Sequence, residues 1–295
     1  MELTALSGAA TIALASTIVF VLVVRSWSVF AQTTATTRFP DSIMLEAAQR
    51  FRDEIARLGR EQSVYLVSAL VFTVIFCVSY LLPSERMFED VPLWQMVIVL
   101  VVLALAIAFV LYKLVQIVVA RRRLIFVRDA SIATGHALQK LTSNRNRVFH
   151  DVPCKSGTID NVIVGLHGIY AVSVIARKPT KDNRLQLKGD KIVFAPGKVA
   201  VSVERCGNNS AQLAREIRKV TGNETRVRSV IAIPGWEIES QASSEFLAVN
   251  ERNLAMLTGW KDEKDYLMNE DVEAIHTMLT ERCTRFRQRR VNNRK

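Results

Sequence analysis

The sequence is poor in the features that hold small secreted or metal-bound domains together. Its 295 residues include four cysteines, and no two of them form a CxxC pair. Cys77 lies within an apolar run, and Cys154, Cys206 and Cys283 are each isolated, so their spacing supports neither a disulfide framework nor a zinc site. They read as reduced thiols packed like small hydrophobes. The four histidines contain no HxxxH or HxH step, and His150 and His167 read as surface or turn residues. Internal repeats and low-complexity tracts are missing as well. The most informative lack is of charge. Leu3–Val24 runs 22 residues without Asp, Glu, Lys, Arg or His, Val64–Leu82 runs 19 and Val91–Tyr112 runs 22. Carriers and proton pumps need such groups inside the membrane, so their absence leaves anchoring as the default role.

What is present is segregated. Hydrophobic residues make up 49% of a chain that also carries 23% charged residues and a net charge of +11. Apolar segments therefore belong to one part and a charged domain to another. The positive balance favours anionic neighbours, either phospholipid headgroups or nucleic acid. A helix of roughly 20 apolar residues crosses a hydrocarbon core about 30 Å thick. The three uncharged stretches accordingly predict transmembrane helices at about 3–24, 64–82 and 91–118. The first competes with a signal peptide ending near Val29-Phe30-Ala31. Its Met-Glu-Leu-Thr start lacks a basic n-region, which favours an uncleaved helix.

Loop charges set the orientation. Arg25, Arg38, Arg50, Arg52, Arg57 and Arg60 lie between the first two spans, and Lys113, Arg121, Arg122, Arg123 and Arg128 follow the third. The short loop 83–92 carries Arg86 against Glu85, Glu89 and Asp90. Positive loops stay in the cytoplasm, which places everything after residue 120 there. Residues 41–61 read as an amphipathic helix with Ile43, Ala47, Phe51, Ile55 and Leu58 on one face and Asp41 or Ser42 as N-cap. It lies on the membrane surface, or it packs on the soluble domain or on a partner chain.

The anchor is thus residues 1–120 and the soluble domain 121–295. In that second part a helix is expected over Ala130–Leu141, weakened by Gly135, and then three strands between Val148 and Lys178. A polar hairpin over Arg184–Ala195 turns at Gly189-Asp190. A helix at Ala211–Val220 follows, then a buried strand at Val227–Ile233 stopped by Pro234-Gly235, a short strand near Glu245–Ala248, and helices at Asn253–Leu257 and Asp271–Phe286. This order suits an α/β domain with a mixed sheet.

Ile159-Asp160-Asn161, the strand Gly168–Val172, Gly135 and Gln212 carry a family likeness across about residues 128–260. The stretch resembles the nuclease-related (NERD) domain of the PD-(D/E)xK nuclease-like superfamily, in the bacterial inner-membrane versions of that family. The resemblance implies a restriction-endonuclease-like fold. It also implies a site in which an Asp and Glu residues hold Mg²⁺ and a Lys steadies developing charge. Only Asp160 is retained. Ser173 stands where the strand Glu would be, Ile175 where the Lys would be, and His136 where the helix Glu would be. Asp151 or Asp182 is a conceivable substitute ligand, and Asp160 also has a plain reading as a turn cap after Gly157-Thr158.

The expectation is therefore a degenerate domain with no cofactor, Mg²⁺ entering only if activity remains. Two functions of different class follow. One is binding of DNA or RNA at the membrane through Arg177, Lys178, Lys181, Arg184, Lys188, Gln212 and the tail Arg285-Phe286-Arg287-Gln288-Arg289-Arg290, with Trp236 and Trp260 either stacking on bases or buried in the core. The other is a membrane-tethered scaffold for a protein partner or a second copy, with the tail facing lipid or simply solvated. An active Mg²⁺-dependent nuclease is the third reading.

Overall fold

The structure, a computed structural model, describes residues 46–81, 93–140, 146–195, 199–254, 257 and 265–292. The chain divides into two compact units. One contains Glu54–Arg123; the other joins the segment ending at Asp53 to Leu124–Lys295.

Helix α1, Gln49–Leu81, is 33 residues long and α2, Leu93–Gln139, is 47. Each merges stretches that the sequence suggests are separate. Residues 41–61 and 64–82 do not form two helices: from Gln49 onward they are one. No proline or glycine separates Glu61 from Val64, and Ser63 folds its hydroxyl back onto Gly59 O at 2.9 Å within the helix. Likewise 91–118 and 130–141 join without a break, because the arginines at 121–123 are good helix formers. The proposed caps Asp41 and Ser42 and the segment 3–24 lie outside the described residues.

In the first unit Ile55, Leu58, Val110 and Ile117 are buried, and Arg121 donates to Gln62 Oε1 at 3.0 Å. Leu66, Leu70, Trp94, Val101, Val102, Leu105, Phe109, Leu111, Tyr112 and Val115 are all exposed. Among the described residues no helix is long and apolar enough to cross a membrane. The side-chain surroundings of 72–82 and of much of 91–104 lie outside the description.

The second unit is a mixed α/β structure with two sheets rather than one. Strands β1 (Arg147–Cys154), β2 (Gly157–Gly165) and β3 (Gly168–Val174) form an antiparallel meander. Strand β7 (Val227–Ala232) joins β3 in parallel, and β9 (Phe246–Val249) joins β7, giving the order β1-β2-β3-β7-β9. The second sheet, β6-β5-β4-β8, is built on the hairpin of β4 (Arg184–Lys188) and β5 (Lys191–Phe194). Gly189, at φ 57°, supplies the left-handed residue that a two-residue hairpin loop requires. Strands β6 (Val199–Ser202) and β8 (Glu237–Ala242) complete it.

Helices α3 (Glu204–Thr221) and α4 (Asn269–Asn292) start earlier than their apolar spacing suggests. Leu213 and Ile217 of α3 and Val272, Ile275 and Leu279 of α4 pack on Phe149, Val162, Val164 and Ile169. The early part of α3 contains Gly207, where a Cβ would come within 2.9 Å of Phe246 Cζ. Helix continuation there is exchanged for close packing. Leu138 of α2 packs with Ile163, Tyr170, Val172 and Val230 in a separate cluster. A third, around Phe194 and Trp236, fills the space where the two sheets meet. Full burial of each Leu, Ile or Phe contributes roughly 1.5–3 kcal/mol.

Candidate functional site

Asp160 lies within β2, one residue before the pairing of β2 with β3 begins at Asn161↔Val172. The pairs His150↔Asn161 and Val152↔Ile159 flank it, so the residue across from Asp160 on β1 is Asp151. The ladder is interrupted at that point because Asp151 takes φ 51°, a left-handed conformation that Asp tolerates better than most residues, at about 1–2 kcal/mol. Two carboxylates thus oppose each other in the sheet. Of the two substitutes weighed from the sequence, Asp151 is brought to Asp160. Asp182 is instead paired with Arg184 at 2.8 Å, and that guanidinium holds its carboxyl below the usual range.

The cation between the opposed carboxylates comes from the chain itself. Arg50, 110 positions before Asp160, places a guanidinium NH2 2.7 Å from Asp160 Oδ1 and its Nε 3.8 Å from Asp151 Oδ1. Its backbone N–H donates to Asp151 Oδ2 at 3.1 Å. That amide lies in the first turn of α1, whose early N–H groups have no partner within the helix. Asp151 therefore caps α1 from a different part of the chain. The other oxygen of Asp160, Oδ2, accepts the backbone N–H of Val174 at 2.7 Å where β3 ends. Burial pushes the Asp160 carboxyl above its ordinary range, and the Asp151 charge adds to this; Arg50 and the Val174 amide oppose it without prevailing.

Extending the β2–β3 register places Ser173 across from Asp160. Ser173 hydrogen-bonds the thiol of Cys206 on α3, which burial nonetheless keeps above its ordinary pKa. Cys206 is therefore a protonated, weakly nucleophilic neighbour. Ile175 packs partly buried against the Phe194–Trp236 cluster and anchors its own N–H on Ala232 O at 2.9 Å. Neither residue replaces a metal ligand or a lysine. His136 is exposed on α2, and nothing links it to Asp160. Among the described residues no three His, Cys, Asp or Glu side chains converge. The set Asp151, Asp160, Ser173 does not fit a divalent ion while Arg50 lies on both carboxylates.

The anticipated phosphate contacts are scattered. Arg177 lies 4.7 Å over the Phe194 ring and its carbonyl accepts Trp236 Nε1–H at 2.9 Å. Trp236 is 1% exposed, so it is a core residue and is not free to stack on a base. Gln212 is already committed: Oε1 accepts Lys155 N–H at 3.1 Å and Nε2 donates to Glu216 at 2.8 Å, tying the β1–β2 turn to α3. Lys178, Lys181 and Lys188 are exposed, as is Arg285, which pairs with Glu281 at 3.1 Å. Trp260 lies outside the described residues. The site residue that sequence reasoning did not single out is Arg50, counted as a loop charge and as part of the amphipathic segment 41–61, for which packing on the soluble domain was one reading.

Compared with protein-family models, curated proteins and solved structures, the chain matches none. Fold and site define a class, a mixed α/β protein with two sheets whose opposed carboxylates are held by its own arginine.

Proposed function

We propose that the chain is a membrane-anchored, nuclease-related protein with a degenerate site, whose α/β part binds nucleic acid at the membrane without cutting it. One observation carries the degenerate reading. Where hydrolysis of a phosphodiester would need a metal bound by several carboxylates, Asp160 instead holds Arg50 and a backbone amide. Ser173 and Ile175 offer no replacement chemistry.

Membrane anchoring is supported by the exposed apolar side chains Val101, Val102, Leu105, Phe109, Leu111 and Val115 on α2, which water would otherwise meet. Nucleic-acid binding is supported by the net charge of +11 and by the exposed Lys178, Lys181 and Lys188. Contacts of this kind neutralise phosphates, give little sequence preference and weaken steeply with salt.

The test is fluorescence anisotropy of mixed-sequence DNA and RNA with the full chain in lipid nanodiscs, over a salt series. Binding that weakens along a straight line in log–log salt dependence is expected, with intact probe recovered afterwards. Undetectable binding at low salt would end the reading. Probe cleaved in Mg²⁺ would make the protein a nuclease.

A further inference from the structure

The contact at Arg50 is more than an ion pair, because residues on both of its sides are shaped for it. In the segment 46–53, Ala48 takes φ 63° just before α1 begins; on the sheet, Asp151 takes φ 51°. These are the two non-glycine residues with positive φ among those described, one of them two positions before Arg50 and the other the acceptor of the Arg50 amide. Behind the segment, Ala47 lies against α2 at Gly135. A Cβ built there would be 2.5 Å from Ala47 Cβ, closer than packed carbons approach. Gly135 stands four residues before the end of α2 at Gln139, where glycine still disfavours the helix relative to alanine, and its missing Cβ matches the seat that Ala47 requires. Arg50 then locks the segment through both carboxylates.

The lock is incomplete. Arg50 Nε is buried without a hydrogen-bond partner, 3.8 Å from the nearest Asp151 oxygen. A contact with strained backbone on both sides and a desolvated donor left over gains less than its charges promise. Undocking would relieve the strain and hydrate the guanidinium, at the expense of two carboxylates that water can solvate.

We propose that residues 46–53 form a releasable strap, latched by Arg50 onto Asp151 and Asp160, and that its release uncovers this carboxylate pair. The strap opens as a unit while β1, β2 and β3 stay paired. This does not depend on whether the domain binds nucleic acid, and its test has a separate readout.

The experiment is hydrogen exchange by mass spectrometry on the full chain in nanodiscs, comparing wild type with Arg50→Gln, Asp160→Asn and, independently, Gly135→Ala. Arg50→Gln removes the charge from the strap and leaves the sheet untouched, so it keeps the test usable if a sheet variant misfolds. Peptides covering 46–53 should exchange about 10-fold faster or more in each variant, the effect of losing a charge-assisted bond. Peptides of β2 and β3 should not change. Equal protection of 46–53 in wild type and Arg50→Gln would overturn the latch. Loss of protection in 46–53, β2 and β3 together would overturn the strap, making the segment an inseparable part of the core.

Discussion

The two units of the chain treat the same residue types in opposite ways. In the unit containing Glu54–Arg123, Val, Leu and Phe side chains at 101, 102, 105, 109, 111 and 115 stand exposed on a helix. In the other, Val162, Val164, Ile169 and Phe149 are buried to within 2% exposure between a sheet and two helices. Composition does not separate these cases; partnership does. A strand or helix whose apolar face meets another layer buries it within the protein. A helix that keeps apolar side chains beyond its packed positions, as α2 does around the buried Val110 and Ile117, turns them to whatever surrounds the protein.

The sharpest way to break this contrast is a matched pair of truncations. Phe149→Ala, in the core beside His276 at a ring distance of 5.8 Å, is expected to lower unfolding stability by about 3–5 kcal/mol. Phe109→Ala, 57% exposed, should change it by less than about 0.5 kcal/mol. Denaturant titration of both in the same detergent gives the comparison. If the two cost the same, Phe109 is packed against protein and the units are not different in kind.

A second test asks what medium the exposed helix wants. Leu105→Arg, at a position 65% exposed, should leave the α/β unit folded but disfavour membrane insertion by about 2.5–3.5 kcal/mol if position 105 lies near the bilayer centre. The expected outcome is protein shifted from the membrane pellet to the supernatant or degraded in cells. An unchanged membrane fraction would count against α2 as an anchor.

Much of the buried unit was readable along the chain because its signals are local. Gly189-Asp190 marks the β4–β5 turn, Pro234-Gly235 follows β7, and the apolar runs of β2 and β3 match their double-sided burial. Strand β8 was not readable: Glu-Ile-Glu-Ser-Gln-Ala is mostly exposed and is held by backbone pairing to β4, which leaves no apolar mark. The partner of the first turn of α1 was hidden for a related reason: the carboxylate that accepts the Arg50 amide is Asp151, about a hundred residues away. The same holds for the site. Asp160 could be picked out from its strand, but the guanidinium that occupies it arrives from another segment. No periodicity encodes that meeting. Gly135, which reads as a flaw in a helix, is the local trace of it.

The contrast between buried and exposed also applies to titration. His276 is 3% exposed, and burial, helped by nearby Arg147, pushes its pKa below the ordinary value; the Glu273 carboxylate and the Val164 backbone oppose this without prevailing. The folded state therefore holds the ring neutral where the unfolded chain would protonate it. Its contribution is present in full above the unfolded value of about 6.5 and is lost as pH falls through the lowered folded value. The slope in that window cannot exceed about 1.4 kcal/mol per pH unit for one proton. Urea midpoints between pH 7.5 and 5 should fall in wild type and flatten in His276→Leu. An identical slope in both would assign the acid sensitivity to another group.

The smallest effect belongs to charges that stay in water. Arg57 lies 2.7 Å from Glu54 and 3.6 Å from Glu61 on α1, with 59% of its side chain exposed. Helical pairs of this spacing contribute about 0.3–0.5 kcal/mol and are screened by salt. Arg228 and Asp265 form the opposite case, 13% and 5% exposed. If exposure decides what an ion pair is worth, Arg57→Ala should shift the denaturation midpoint barely beyond error at low salt and not at all in 1 M salt. Arg228→Ala should destabilise by several-fold more at both, because it leaves Asp265 desolvated without its guanidinium. A salt-independent loss on Arg57→Ala would mean that this arginine acts through packing of its methylenes, and that the line between the two kinds of charge lies deeper than side-chain exposure suggests.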